Sequence, residues 1–200
     1  MNIPLPVAGE CWSDLGAEEK RSRLLRAAGE VFAREGLDAP MPAIAAAAGA
    51  GMGSVYRQFP SKRDLLAALV VERLTDTEGR ARDALASSDG AWIALTGLLW
   101  ALAERQAADD VLGEAMATVS EHPSVRRALA STLQALEQLL VSARTEGQLR
   151  PDATILDLRL LFAATRAAGE LEPDAWRRML ELVIRALEAG APTGPSSVGR

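Results

Sequence analysis

Apolar residues recur along this chain every three or four positions and never in sustained strict alternation. That spacing is the signature of helices with one buried face. Leu24, Ala28, Val31 and Phe32 mark the face of a first helix, which Gly36 closes. Pro40 and Pro42 then restrict the backbone, and IAAAA (44–48) predicts a short second helix ending at Gly49. A third short helix is predicted over about 52–58. Ser61 opens a long fourth helix reaching about Ala84, with Leu65, Leu66, Leu69 and Val70 on its apolar side. The run S-K-R-D at 61–64 has capping-box spacing, in which Asp64 reaches back toward the start of the helix.

SSDG (87–90) interrupts the pattern, and a fifth helix follows with Trp92, Leu95, Leu99 and Leu102. A short sixth carries Val111, Leu112 and Met116. The seventh starts near His122-Pro123, runs through Val125, Leu129, Leu133, Leu136 and Leu140, and stops at Gly147. The last two, about 152–168 and 173–189, are apolar on more than one side. GAPTGPSSVGR (190–200) has the composition of a disordered tail. The fold class is therefore all-α, with about nine helices and no internal repeat.

The 200 residues are 48% apolar and 24% charged, enough to build a core. No apolar run approaches the roughly 20 residues that span a bilayer, and the N-terminus lacks the pattern of a signal peptide. The single cysteine, Cys11, cannot form an internal disulfide, so the cytoplasm is the expected compartment. The net charge of −5 argues at first against a nucleic-acid partner. Its distribution reverses that argument. Residues 20–63 hold eight basic and three acidic side chains, a local surplus of +5 against −10 elsewhere. A cationic contact surface on an acidic body is the natural reading.

The glycines at 49, 51 and 53 raise the question of a phosphate-cradling loop. Such a loop needs a preceding strand and G-x-G-x-x-G, or a terminal G-K-[ST], and none of these is present. Helix-turn-helix geometry accounts for the same residues better. Ala45 and Ala48 are small enough for two helices to cross closely, and Gly49 suits a left-handed turn. Val55 and Phe59 would pin the second helix to the core. Met52, Gly53, Ser54, Tyr56 and Arg57 would then face outward, with Gly51 and Gly53 removing bulk where a duplex must come close.

RLLRAAGEVFAREG (23–36) and IAAAAGAGMGSVYRQFPSKRDLL (44–66) resemble the DNA-binding half of TetR family transcriptional regulators. The rest of the chain is similar to that family in helix number and length, including the EGQLRPD junction (146–152). The resemblance implies a flexible arm over 1–17, a three-helix DNA-binding domain over 18–64 and a ligand-binding and dimerisation body over 65–189. It places Met52, Gly53, Ser54 and Arg57 where recognition-helix contacts are made. It places Tyr56 and Lys62 on phosphates, and Lys20 and Arg21 just before the first helix, where an arm touches DNA. One departure is A-P-M-P (39–42), where the family has a capping Ser or Thr that donates to a phosphate; Asp38 is the alternative cap.

Other chemistry is sparse. His122, the only histidine, reads as a solvent-facing or capping residue, and one His with one Cys cannot assemble a zinc site. Glu121, Asp109, Asp110, Glu170 and Glu172 read as solvated helix ends, so neither catalysis, a metal nor a cofactor is expected. Trp92, Trp100, Met116 and Phe162 are either core or, with Thr96 and Arg166, a largely apolar pocket for a small effector. Glu104, Thr118 and Thr165 lie at nearby helical offsets. The wide apolar faces of the last two helices read as a four-helix homodimer interface through Leu158, Leu161, Trp176 and Val183. The expected protein is a homodimeric repressor that leaves a palindromic operator when a small, largely apolar ligand binds. A regulator without such a ligand, or a helical interaction module, would share most of these features.

Overall fold

The computed structural model describes residues 12–108 and 110–190; Cys11, most of the expected arm and the 191–200 tail lie outside them. After one turn of 3-10 helix at Trp12–Asp14 come nine α-helices among the described residues. They are α1 (Ala17–Glu35), α2 (Met41–Ala48), α3 (Met52–Gln58), α4 (Lys62–Leu85) and α5 (Ala91–Ala108). Then follow α6 (Asp110–Val119), α7 (Pro123–Thr145), α8 (Ile155–Leu171) and α9 (Ala175–Leu187). The only extended pairing among the described residues is one antiparallel bridge between Leu149 and Glu188. None of these helices is long and apolar enough to cross a membrane.

The chain divides into two compact units. The first runs to Val70 and takes in Val111–Val125; the second comprises Val71–Asp110 and the chain from Arg126 onward. The body expected over 65–189 therefore gives up the start of α4 and nearly all of α6 to the first unit. The core of the first unit is built from Leu24, Val31, Phe32, Ile44, Val55, Phe59 and Leu65, all essentially inaccessible. Apolar residues at helical spacing, set among charged ones on α1 and among small ones on α2, are what pack α1 on α2, and α2 on α3.

In the second unit α8 lies along α9 and both pack on α5. Leu95, Leu99, Leu139, Leu140, Leu161 and Leu180 make the centre of this core. Leu158 (2% exposed), Leu161 (1%) and Trp176 (4%) belong to it as well, which corrects their assignment to a subunit interface. They face inward because Leu158 and Leu161 lie on the side of α8 that meets α9 and α5, and Trp176 on the side of α9 that meets α8 and α5. Val183 is half-buried against the same core. The large apolar side chains left outside on these two helices are Leu156, Leu160 and Leu171 on α8 and Leu182 on α9.

Helix ends are closed partly by their own neighbours and partly from afar. Thr154 and Asp157 form a local box at the start of α8, with the Thr154 N–H 2.7 Å from Asp157 Oδ2. The N-terminus of α5 is capped instead by Glu146, whose Oε2 accepts the Ala91 N–H at 2.8 Å from 55 residues away. The EGQLRPD junction clasps the end of α9. Arg150 N–H donates to Leu187 O, Ala189 N–H donates to Gln148 O, and the Arg150 side chain reaches Ala186 O. Buried Thr132 on α7 hydrogen-bonds Leu74 O of α4, and Ser131 donates to Glu78 at 2.7 Å.

Asp76 on α4 bonds both Arg80 and Arg105, tying α4 to α5. Partial burial pushes its carboxyl pKa up, but the bonds from Arg105 and Arg80 outweigh that and hold it below the usual carboxylate value. A depressed folded pKa stabilises the protein above the unfolded value and loses that stabilisation as pH falls through the folded one. Thermal midpoints should therefore fall on acidification below about pH 4, and Asp76→Asn should lower the midpoint at neutral pH while making that acid loss shallower. A thermal-unfolding series across pH for the two proteins checks it.

Candidate nucleic-acid interface

The site is built on one turn. Gly49 adopts φ 65°, ψ 31°, the left-handed conformation that side chains disfavour. Its N–H bonds Ala46 O at 3.1 Å, and the Ala50 N–H bonds Ala45 O at 2.9 Å, so the last carbonyls of α2 are satisfied as the chain reverses. A Cβ at Gly49 would also come within 3.3 Å of the Arg23 guanidinium. Ala45 and Ala48 are buried at the crossing, and Val55 and Phe59 anchor α3 from below, as expected.

The anchored side of α3 decides the other. Gly53, Tyr56 and Arg57 are exposed, Tyr56 by 49%, while Met52 and Ser54 are half-buried at the edge of the same face. Ser54 Oγ accepts a bond from Arg57 Nη2 at 3.0 Å, holding the guanidinium along the helix. Gly51 and Gly53 are informative because nothing inside the protein requires them. Neither has a positive φ, and a Cβ built on either meets nothing within 4 Å. Gly53, inside a seven-residue helix, costs stability, whereas Gly51 precedes the helix at its capping position. The fold itself therefore makes no steric demand for glycine there.

Cations surround this face. Lys62 opens α4 with its Nζ 5.8 Å above the Phe32 ring, and the Arg21 guanidinium stacks 4.7 Å from the Phe59 ring centre. Lys20 Nζ lies 3.5 Å from Ser13 O. Lys20 and Arg21 do not precede the first helix as expected. They lie within α1, because the Gly16 N–H is taken up by Glu19 at 2.7 Å and the helix starts at Ala17. Leu15 is buried just before it, so the chain from Trp12 onward is held rather than free.

Asp38 does not cap α2. The capping position is Pro40, with Pro42 in the first turn and no side-chain bond, so this end offers no hydroxyl to a phosphate. Ser61 and Asp64 do close the start of α4. The Asp64 N–H donates to Ser61 Oγ at 3.2 Å and the Ser61 hydroxyl donates to Asp64 Oδ2 at 2.5 Å. That hydroxyl lowers the Asp64 pKa most; slight burial opposes it, and the hydrogen bond from His122 lowers it further.

The residues read as an effector pocket are divided between the two units. Trp92, Trp100 and Phe162 pack against the core of the second unit, and Trp100 meets Trp176 edge-on at 6.1 Å. Thr96 spends its hydroxyl on the Trp92 and Ile93 carbonyls. Met116 sits on α6 in the first unit, half-buried. Arg166 lines an open cleft of about 230 Å³, together with Gln106, Thr165, Glu170, Pro173 and Trp176. Gln106 and Pro173 escaped sequence reasoning because no periodicity links the end of α5 to the α8–α9 turn.

Two short helices crossing at a left-handed glycine, with a cationic rim and an exposed second helix, define a helix-turn-helix DNA-binding protein. The family model described as bacterial regulatory proteins, tetR family, matches residues 24–69, and that for the C-terminal domain of SbtR-like transcriptional regulators matches 91–189. The chain belongs to the TetR family, and it is a DNA-binding transcriptional regulator.

Among solved structures, a TetR regulator from Mycobacterium vanbaalenii is 30% identical over 86% of this chain and 96% of its own, with a TM-score of 0.65. The TetR regulator SCO0520 from Streptomyces coelicolor is 27% identical over 86% and 99%, with a TM-score of 0.64. FadR from Bacillus subtilis, solved with stearoyl-CoA, shares the fold at 18% identity over 86% and 99%, with a TM-score of 0.65. A comparison with curated protein sequences finds no significant match.

Gly53→Ala separates the needs of the fold from those of the partner. Its Cβ fits and the helix gains, so the free protein should be more stable by about 0.5–1 kcal/mol. Duplex affinity should fall about tenfold or more, the scale of one lost base contact. Paired thermal melts and gel shifts check both signs.

Proposed function

We propose that this regulator is a homodimeric, cytoplasmic repressor that reads a palindromic operator through α3 and leaves it when a small molecule binds. The observation that carries the DNA half is the face of α3, bare at Gly53 and at the capping Gly51 before it, and flanked by Tyr56, Arg57 and Lys62. Met52, Gly53, Ser54 and Arg57 meet base edges and the adjoining backbone, and Tyr56 and Lys62 hold phosphates. Residues 18–64 carry the recognition function and 65–189 the effector and dimer functions. The protein acts by binding rather than by catalysis.

The effector reading draws support from relatives in fold. A gamma-butyrolactone receptor, RolR with resorcinol and FadR with stearoyl-CoA share this architecture. In this chain the cleft at Arg166 supplies a cation, an amide and an aromatic edge around an apolar floor. Release requires that the effector bind the DNA-free state more tightly than the DNA-bound one, and linkage makes operator and effector weaken each other equally.

Dimerisation is assigned to the outer sides of α8 and α9. Leu156, Leu160, Ala163, Ala167 and Leu171 are exposed at helical spacing along α8, Leu171 by 88%, and Leu182 and Ala186 are exposed on α9. A stripe of this kind on a soluble helix is satisfied by a second copy.

Lys62→Ala tests the phosphate assignment. Specific and non-specific binding should weaken together, and the slope of log K against log[salt] should flatten by about 0.9. An unchanged slope with altered sequence preference would remove Lys62 from the backbone. Leu160→Glu should yield folded monomers in sedimentation, because it places a charge on an apolar contact without touching the monomer core. A stable dimer would move the interface elsewhere.

A further inference from the structure

His122 is separated by 58 residues from the carboxylate it bonds, and lies outside the 24–69 segment that matches the DNA-binding family model. It ends the α6–α7 corner, whose residues through Val125 belong to the same compact unit as the helix-turn-helix. Its side chain is 24% exposed and both ring nitrogens are engaged. Nδ1 accepts the Ser124 backbone N–H at 3.4 Å and sits 2.8 Å from Ser124 Oγ. That acceptor role leaves the proton on Nε2, which donates to Asp64 Oδ1 at 3.3 Å. The His122 N–H to Val119 O bond and the fully buried Val125 hold the corner itself.

Asp64 occupies the turn of α4 that begins with Lys62. Its Oδ2 takes the Ser61 hydroxyl, so the bond from His122 commits the remaining oxygen. Without that donor, an exposed anionic oxygen would stand two residues from the lysine expected on a phosphate. It would repel the duplex backbone or compete with it for the neighbouring ammonium groups.

We infer that His122 is a positioning residue for DNA binding: from the α6–α7 corner it holds the Asp64 carboxylate turned aside, so that the Lys62 turn of α4 can receive a phosphate. The inference rests on the reading of Lys62 given above. Asn and Gln separate its two bonds, since an Asn amide reaches the position of Nδ1 and a Gln amide that of Nε2.

The experiment measures affinity of the full chain for a mixed-sequence duplex, with thermal midpoints recorded alongside. His122→Asn should weaken binding about three- to tenfold, and His122→Gln should remain within about twofold of the parent protein, the range of one hydrogen bond. In an Asp64→Asn background, His122→Asn should cost nothing further. If Lys62→Ala leaves binding intact, the phosphate reading itself fails. If Lys62→Ala weakens binding while His122→Asn and His122→Gln behave alike, or the Asn effect persists without the Asp64 charge, His122 does not act through Asp64 and the inference is overturned.

Discussion

The left-handed residue at Gly49 is the constraint on which the DNA-binding unit depends. Because the chain reverses there within two residues, α2 and α3 must cross where Ala45 and Ala48 meet the turn, and only small side chains fit. That crossing sends Val55 and Phe59 inward and leaves the opposite face of a two-turn helix for a partner. The rings it buries have a second use. Phe59 carries the Arg21 guanidinium and Phe32 the Lys62 ammonium, so the aromatic core places cations at the rim of the recognition helix. Contact surface and core are parts of one arrangement.

Polar closures fall into two kinds, and they do different work. Boxes such as Ser61–Asp64 and Thr154–Asp157 end helices by groups three residues apart, and cost little order to form. The bonds from Glu146 to Ala91, Thr132 to Leu74 and His122 to Asp64 span more than fifty residues each. These exist only once the helices have packed, and they fix which helix end meets which corner. The Asp64 carboxylate takes part in both kinds. It stands where the helix-turn-helix joins the rest of its unit.

Charge is distributed to match. The acidic excess of the chain lies outside residues 20–63, which leaves the positive charge concentrated in the segment that holds α1, α3 and the start of α4. The departure at α2 fits this division of labour. With Pro40 and Pro42 closing that helix end, α2 carries no capping hydroxyl there.

Much of this was legible in the sequence because it is local. Helical periodicity, the proline and glycine boundaries, the Ser61–Asp64 box and the turn at Gly49 depend on residues a few positions apart, and their energetics are already present in a short segment. The outward set on α3 followed from the two residues that pin it. What the sequence could not rank were sides of helices apolar all round. Leu158, Leu161 and Trp176 look no different in the sequence from Leu156, Leu160 and Leu182, yet the first three are core and the last three are exposed. Packing of α8 on α9 and α5 decides between them, and that choice is made by residues distant along the chain. The same holds for the cleft at Arg166 and for the bond from His122. Local chemistry determined which elements form, and only tertiary packing decided which of their faces are left for function.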